Sequence, residues 1–178
     1  MPRDNDMWIF GYGSLMWDPG FAFEECQPAL LHGYHRAFCL FSERHRGTPE
    51  RPGLVLGLAP GGSCKGRAYR VAASSIEAVL DYLHERELVH YVYLFREVPL
   101  RLPDACIRAH TYIADIKHER YAGGLSMKTA AAIIREAHGL GGPNIDYLEN
   151  TIEHLDELGI KEGRLHDLLV MVQGGEAT

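Results

Sequence analysis

Strand-like and helix-like segments are segregated along this chain, and that order limits the folds open to it. Residues 7–10 (M-W-I-F), 31–41, 54–58 and 65–71 read as strands, with a turn at Pro60-Gly61-Gly62 and a hairpin across it. One helix follows at 74–87, then strands at 91–102 and 107–116, then helices at 126–138, 144–158 and 162–172. Such a chain does not alternate βαβα, so a doubly wound parallel sheet is excluded as the expectation. The order predicts an α+β fold: a small, strongly curved or barrel-like mixed sheet with helices packed on it. No internal repeat is present. At 178 residues, one domain over 7–173 is expected, between a loose leader (1–6) and a loose tail (174–178).

Local signals refine the helices. Ser74 and Glu77 have the spacing of a capping box, which would satisfy two orphan N–H groups reciprocally. The alanine-rich helix should close at Gly139 and Gly141-Gly142-Pro143, and Asn144 should cap the helix that ends at Gly159. The 42–53 segment (S-E-R-H-R-G-T-P-E-R-P-G) reads as a loop. Its Arg44, Arg46 and Arg51 form a basic island. They would either draw a small acid as part of a lid or lie as plain surface.

Charge and cysteine usage remove several functions. With 18 basic and 24 acidic side chains the formal charge is −6, without the positive footprint of a non-specific nucleic-acid binder. No apolar run is long enough to cross a membrane, and no signal peptide is recognisable. A cytoplasmic, reducing location is expected. The four cysteines (Cys26, Cys39, Cys64, Cys106) form no C-x-x-C pair and read as small core residues. The ten histidines show no metal-ligand spacing: His32 and His35 sit three apart in a strand, on opposite faces.

Three places can carry chemistry. Phe10-Gly11-Tyr12-Gly13-Ser14-Leu15 ends a strand with two glycines, a tight turn or a cradle of backbone N–H groups for a carboxylate or oxyanion. It lacks the third glycine of a dinucleotide fingerprint and the lysine of a Walker A loop. Ser14 has no G-x-S-x-G context and no identifiable His–Asp partners, so it does not read as a nucleophile. Glu87 closes the stripe Ile76, Leu80, Leu83, since these positions stay within about 40° on a helix. Glu85 points the other way and should be wet. A carboxylate on the apolar stripe is costly unless used, and burial would raise its pKa toward proton shuttling. The alternative is a helix-end acid fanned into solvent beside Arg86. Tyr147 shares an inward face with Thr151, Leu155 and Leu158. It is either a core residue or the lid of an apolar pocket with its hydroxyl on a ligand.

The pieces M-W-I-F-G-Y-G-S-L-M-W (7–17), G-Y-H-R-A-F-C-L (33–40), R-G-T-P-E-R-P-G-L-V-L (46–56), Y-L-H-E-R-E (82–87) and G-G-P-N-I-D-Y-L (141–148) stand in one order along the chain. Together with G-R-A-Y-R-V (66–71) and L-G-I-K-E-G-R-L-H-D-L-L (158–169), this set resembles the ChaC-like, glutathione-specific γ-glutamylcyclotransferases. The resemblance implies the γ-glutamylcyclotransferase-like fold, a small mixed β-barrel with flanking helices. It implies an enzyme that splits glutathione into 5-oxoproline and cysteinylglycine without cofactor or metal. By the same resemblance Glu87 is the catalytic glutamate, Tyr12, Gly13, Ser14 and Leu15 grip the γ-glutamyl group, and Tyr147 is a further substrate contact. The partner implied is this small molecule, with no nucleic acid and no membrane; the oligomeric state is open. A relative acting on another γ-glutamyl amine or amino acid, and a non-catalytic binding module of the same fold, are the alternatives.

Overall fold

Apolar residues at alternating or continuous positions form five main strands. They are β1 (Met7–Gly11), β2 (Glu25–Ser42), β3 (Gly53–Val71), β4 (Tyr93–Arg101) and β5 (Cys106–Ala114). A computed structural model describes residues 5–87 and 92–175. The strands close a barrel in the order β1-β3-β2-β4-β5. β1 runs antiparallel to β3, with Ile9 opposite Tyr69, and parallel to β5, with Ile9 opposite His110. The sheet is therefore mixed, and closure leaves no long edge strand. Residues 1–4, 88–91 and 176–178 lie outside the described residues, so most of the expected leader, the expected tail beyond 175 and Tyr91 of the expected strand fall there.

The chain divides into two units. The first comprises Met1–Arg36 with Leu58–Asp115, the second Ala37–Gly57 with Ile116–Thr178; β2 and β3 run through both. In the first unit Ile9, Leu15, Val71, Val79, Leu83 and Tyr112 form one core cluster. Helix α1 (Ile76–Glu87) supplies Val79 and Leu83 to it. In the second unit the helices are α2 (Met127–Glu136), α3 (Asn144–Glu157) and α4 (Gly163–Val172). Each buries a helically spaced set: Ala130 and Ile134, Leu148 and Leu155, Leu165 and Leu168. Arg135 fastens α2 to the end of α4 by donating to the carbonyls of Met171 (2.7 Å) and Val172 (2.9 Å).

Several local expectations are corrected. Pro60-Gly61-Gly62 is no turn, because β3 continues unbroken through it. Gly61 and Gly62 take φ +100° and +70°, which bends the strand within its ladder without reversing it. Ser74 does not make a capping box, since it lies inside a 3-10 turn, Ala73–Ser75, that precedes α1. Asp6 serves this start instead: its Oδ1 accepts from the Ala73 N–H at 3.1 Å while its Oδ2 pairs with Arg70 at 2.6 Å. Ser126 does cap α2, accepting from the Thr129 N–H. The glycines after α2 build a two-stranded hairpin, β6 (His138–Gly139) and β7 (Gly142–Pro143), rather than a plain stop.

Asn144 is the first residue of α3 and caps nothing. Its buried carboxamide turns to β3, accepting from the Leu54 N–H (2.8 Å) and donating to the Leu54 carbonyl (2.9 Å). The helix ends as expected at Gly159, with φ +71°. The glycine-lined approach to α3 does pass close to another segment. Leu140 and Gly141 donate to the carbonyls of Arg44 and His45 at 2.8 and 2.7 Å. A Cβ at Gly139 would stand 2.5 Å from the Arg44 carbonyl oxygen and the Gly47 nitrogen.

Candidate active site

In the first unit β1 ends at Gly11, and the chain turns sharply into a 3-10 turn, Ser14–Met16. Gly11 is needed for the closeness of this turn, because a Cβ there would lie 3.0 Å from that of Leu15. The turn is held from beneath by two long polar side chains. Arg36 on β2 is only 4% exposed. It donates from Nε to the Tyr12 carbonyl at 2.6 Å and from Nη2 to the Lys65 carbonyl at 2.5 Å. The Tyr69 hydroxyl, from β3, is shared between the carbonyls of Leu15 (2.7 Å) and Met16 (3.1 Å).

This anchoring orients the loop's donors. In a trans peptide the C=O and the following N–H point opposite ways. With the Tyr12 oxygen drawn onto a buried guanidinium, the Gly13 N–H is directed to the other side and polarised as a donor. The Ser14 and Leu15 N–H groups begin the 3-10 turn ahead of its first internal donor, the Met16 N–H on the Gly13 carbonyl (2.9 Å), where N–H groups have no partner within the helix. The arrangement can hold an anionic oxygen.

Glu87 lies in α1, on the same helix as the stripe of Ile76 and Leu83, and Glu85 is exposed. The Glu87 side chain is one-fifth exposed and stands 3.6 Å from Arg86 Nε, too far for a hydrogen bond. Burial holds its pKa above the ordinary carboxylate value, with the Arg86 charge acting in the opposite sense. Both sequence readings of this residue thus contain part of the arrangement: the carboxylate is desolvated, and it does lie beside Arg86. The phenol of Tyr112, on β5, is also raised, first by burial and then by the charge of Glu87. Its oxygen is 2.9 Å from His84 Nδ1.

The structure links the two sequence motifs directly. Arg86 Nη2 donates to Ser14 Oγ at 2.6 Å, and Nη1 to the Asp18 carbonyl at 2.9 Å and the Tyr82 hydroxyl at 2.9 Å. The turn bearing Tyr12, Gly13, Ser14 and Leu15 is therefore fastened to the end of the helix bearing Glu87. Sequence reasoning missed Arg36, Tyr69 and the part played by Arg86. Arg36 had a signal, since it shares an inward, period-two face with Phe38 and Leu40.

Tyr147 belongs to the second unit. It is half-buried on α3, with Thr151 and Leu155 buried on the same face. Its hydroxyl accepts from the Leu56 N–H at 3.3 Å, and its ring meets Phe38 edge-on at 5.6 Å. The Arg46 guanidinium lies 5.4 Å from the ring centroid and donates to the Pro143 carbonyl at 3.2 Å. Of the basic island, Arg46 is thus tied into the unit, whereas Arg44 and Arg51 are exposed.

Among the described residues no group of three or more His, Cys, Asp or Glu is placed to hold a metal ion. No described helix is long and apolar enough to cross a membrane. The cysteines are free, and burial pushes the Cys39 thiol up to about 12, which leaves it without nucleophilic character at neutral pH.

The barrel with flanking helices is the fold of a solved yeast protein described as a γ-glutamylcyclotransferase specific to glutathione. The TM-score is 0.84 at 25% identity, covering 95% of this chain and 98% of that one. The chain belongs to the ChaC-like protein family, whose sequence model matches residues 7–174. It is 39% identical to the glutathione-specific γ-glutamylcyclotransferase of Escherichia coli K12, over 97% of this chain and 75% of the relative. It is 37% identical to γ-glutamylcyclotransferase 2-3 of Arabidopsis thaliana, over 94% of this chain and 88% of that one.

Proposed function

We propose that this chain is a glutathione-specific γ-glutamylcyclotransferase, that residues 7–173 act as one catalytic domain, and that it works in the cytoplasm. The observation that carries the reading is the tie, through Arg86, between a largely buried Glu87 whose pKa burial raises and the backbone-donor loop at Tyr12, Gly13, Ser14 and Leu15. In this reading the loop N–H groups bind the α-carboxylate or the developing oxyanion of the γ-glutamyl group. Holding the substrate folded brings its α-amine against its own γ-carbonyl, an entropic advantage that intramolecular attack exploits.

Glu87 takes a proton from the α-amine as general base. The amine nitrogen attacks the γ-carbonyl carbon and closes a five-membered lactam. The bond from that carbon to the cysteinyl nitrogen breaks, and Glu87 returns the proton to the leaving nitrogen as general acid. The products are 5-oxoproline and cysteinylglycine. The nucleophile comes from the substrate, so the scheme needs no water, metal, cofactor or covalent intermediate. A raised pKa suits a group that must both accept and give a proton near neutrality. Tyr147 is assigned as a further substrate contact on the resemblance of its motif.

The test is incubation with glutathione while both products are followed. Equal amounts of 5-oxoproline and cysteinylglycine are expected. Product from γ-glutamyl-alanine but none from glutathione would transfer the assignment to another γ-glutamyl donor. Product from neither would remove the catalytic reading.

A further inference from the structure

We propose that Arg86 is a positioning residue for this reaction, setting the Ser14 hydroxyl as a donor toward substrate while supplying Glu87 with a counter-charge from beyond hydrogen-bond range. The inference rests on the cyclotransferase reading. A guanidinium has only donors, so at 2.6 Å the Ser14 oxygen must accept from Arg86. The hydroxyl proton is then left to point elsewhere, and among the described residues this is the one bond at Ser14 Oγ. Ser14 is thereby turned into a second kind of donor beside the loop N–H groups, suited to a carboxylate or carbonyl oxygen of the substrate.

The contact with Glu87 is of a different kind. A direct, bidentate ion pair would occupy the carboxylate lone pairs and hold the proton off. At 3.6 Å from Nε, Glu87 receives the charge without the hydrogen bond. Arg86 can stay there because its fork is committed to neutral acceptors: Ser14 Oγ, the Asp18 and Pro19 carbonyls and the Tyr82 hydroxyl. Lysine keeps the charge but cannot reproduce that fork. Among the described residues, Tyr112 of β5 feels the Glu87 charge, and His84 of α1 is bonded to the Tyr112 hydroxyl. Both remain in place in the variants below.

The experiment compares wild type with Arg86→Gln, Arg86→Lys, Ser14→Ala and the Arg86→Gln/Ser14→Ala double variant. It reads kcat and KM for glutathione against pH, together with a carbon-13 carboxyl titration of Glu87 assigned by its loss in Glu87→Gln. Without the Arg86 charge the Glu87 pKa rises, so in Arg86→Gln both the titration and the acid limb of kcat/KM move to higher pH. A fall in kcat/KM of about tenfold or more at the optimum accompanies this. Arg86→Lys keeps the acid limb and shows the raised KM of Ser14→Ala. In the double variant, Ser14→Ala adds nothing further to KM. An unmoved Glu87 titration in Arg86→Gln, or KM effects that multiply in the double variant, would overturn the proposal. If Arg86→Gln does not fold, Arg86→Lys and Ser14→Ala decide: unlike KM changes overturn it, matching ones support it. A wild type inactive on glutathione refutes the substrate reading instead, and the carboxyl titration still judges Arg86.

Discussion

Two buried polar side chains, one in each unit, grip backbone in opposite ways. In the second unit the carboxamide of Asn144 meets both the N–H and the carbonyl of Leu54, so that stretch of β3 is fully satisfied. In the first unit Arg36, which has no acceptor, donates to the carbonyls of Tyr12 and Lys65 and cannot accept from the N–H groups beside them. The matching N–H of Gly13 is turned outward. A closed grip of the first kind fixes a helix to a strand. An open grip of the second kind makes a binding surface, because the donors it orients still need a partner. The same sort of residue, a buried polar group on backbone, thus builds structure in one place and a candidate site in the other.

This contrast can be broken experimentally. Arg36→Met removes the open grip, and the larger effect is expected there: a fall in kcat/KM on the order of 10²-fold or more, as the loop shifts by about an ångström. Steady-state kinetics on the folded variant checks it, and activity near that of wild type would show that the loop holds its shape unaided. Asn144→Ala removes the closed grip. It leaves a buried N–H and a buried carbonyl unpaired, at a cost of about 2–4 kcal/mol in denaturant unfolding. The kcat/KM of the molecules that remain folded should stay within about twofold of wild type. A variant as stable as wild type but slow would reverse the roles assigned to the two side chains.

The strands and helices were legible in the sequence because each depends on a short period in the residues themselves. Glu87 was legible for the same reason: helical geometry places it on the stripe of Ile76 and Leu83 without knowledge of any partner. What escaped was every feature whose partner lies far along the chain. Ser74 and Asn144 both look like caps, yet the start of α1 is served by Asp6 and the Asn144 amide is claimed by Leu54. Gly61 and Gly62 are read as a turn because a bend and a reversal need the same positive φ, and only strand pairing separates them. The bond from Arg86 to Ser14 spans 72 positions, and no local pattern encodes it.

The site also stores a cost that a mutation can release. Burial holds the Glu87 pKa above its unfolded value, so the fold favours the protonated form. That contribution is present below the ordinary value of 4.5 and is lost as pH rises through the folded pKa. Above the folded pKa the ionised carboxylate therefore destabilises the fold, and a neutral side chain of the same shape does not.

The proton-shuttle role of Glu87 is decided by Glu87→Gln, with 5-oxoproline release from glutathione and thermal unfolding measured on the same preparation. Turnover is expected to fall by at least about 10²-fold. The Tm is expected to lie above that of wild type at neutral pH, with the difference vanishing below pH 4.5. A folded Glu87→Gln protein that releases 5-oxoproline at a rate near that of wild type would contradict a proton-shuttling role for Glu87.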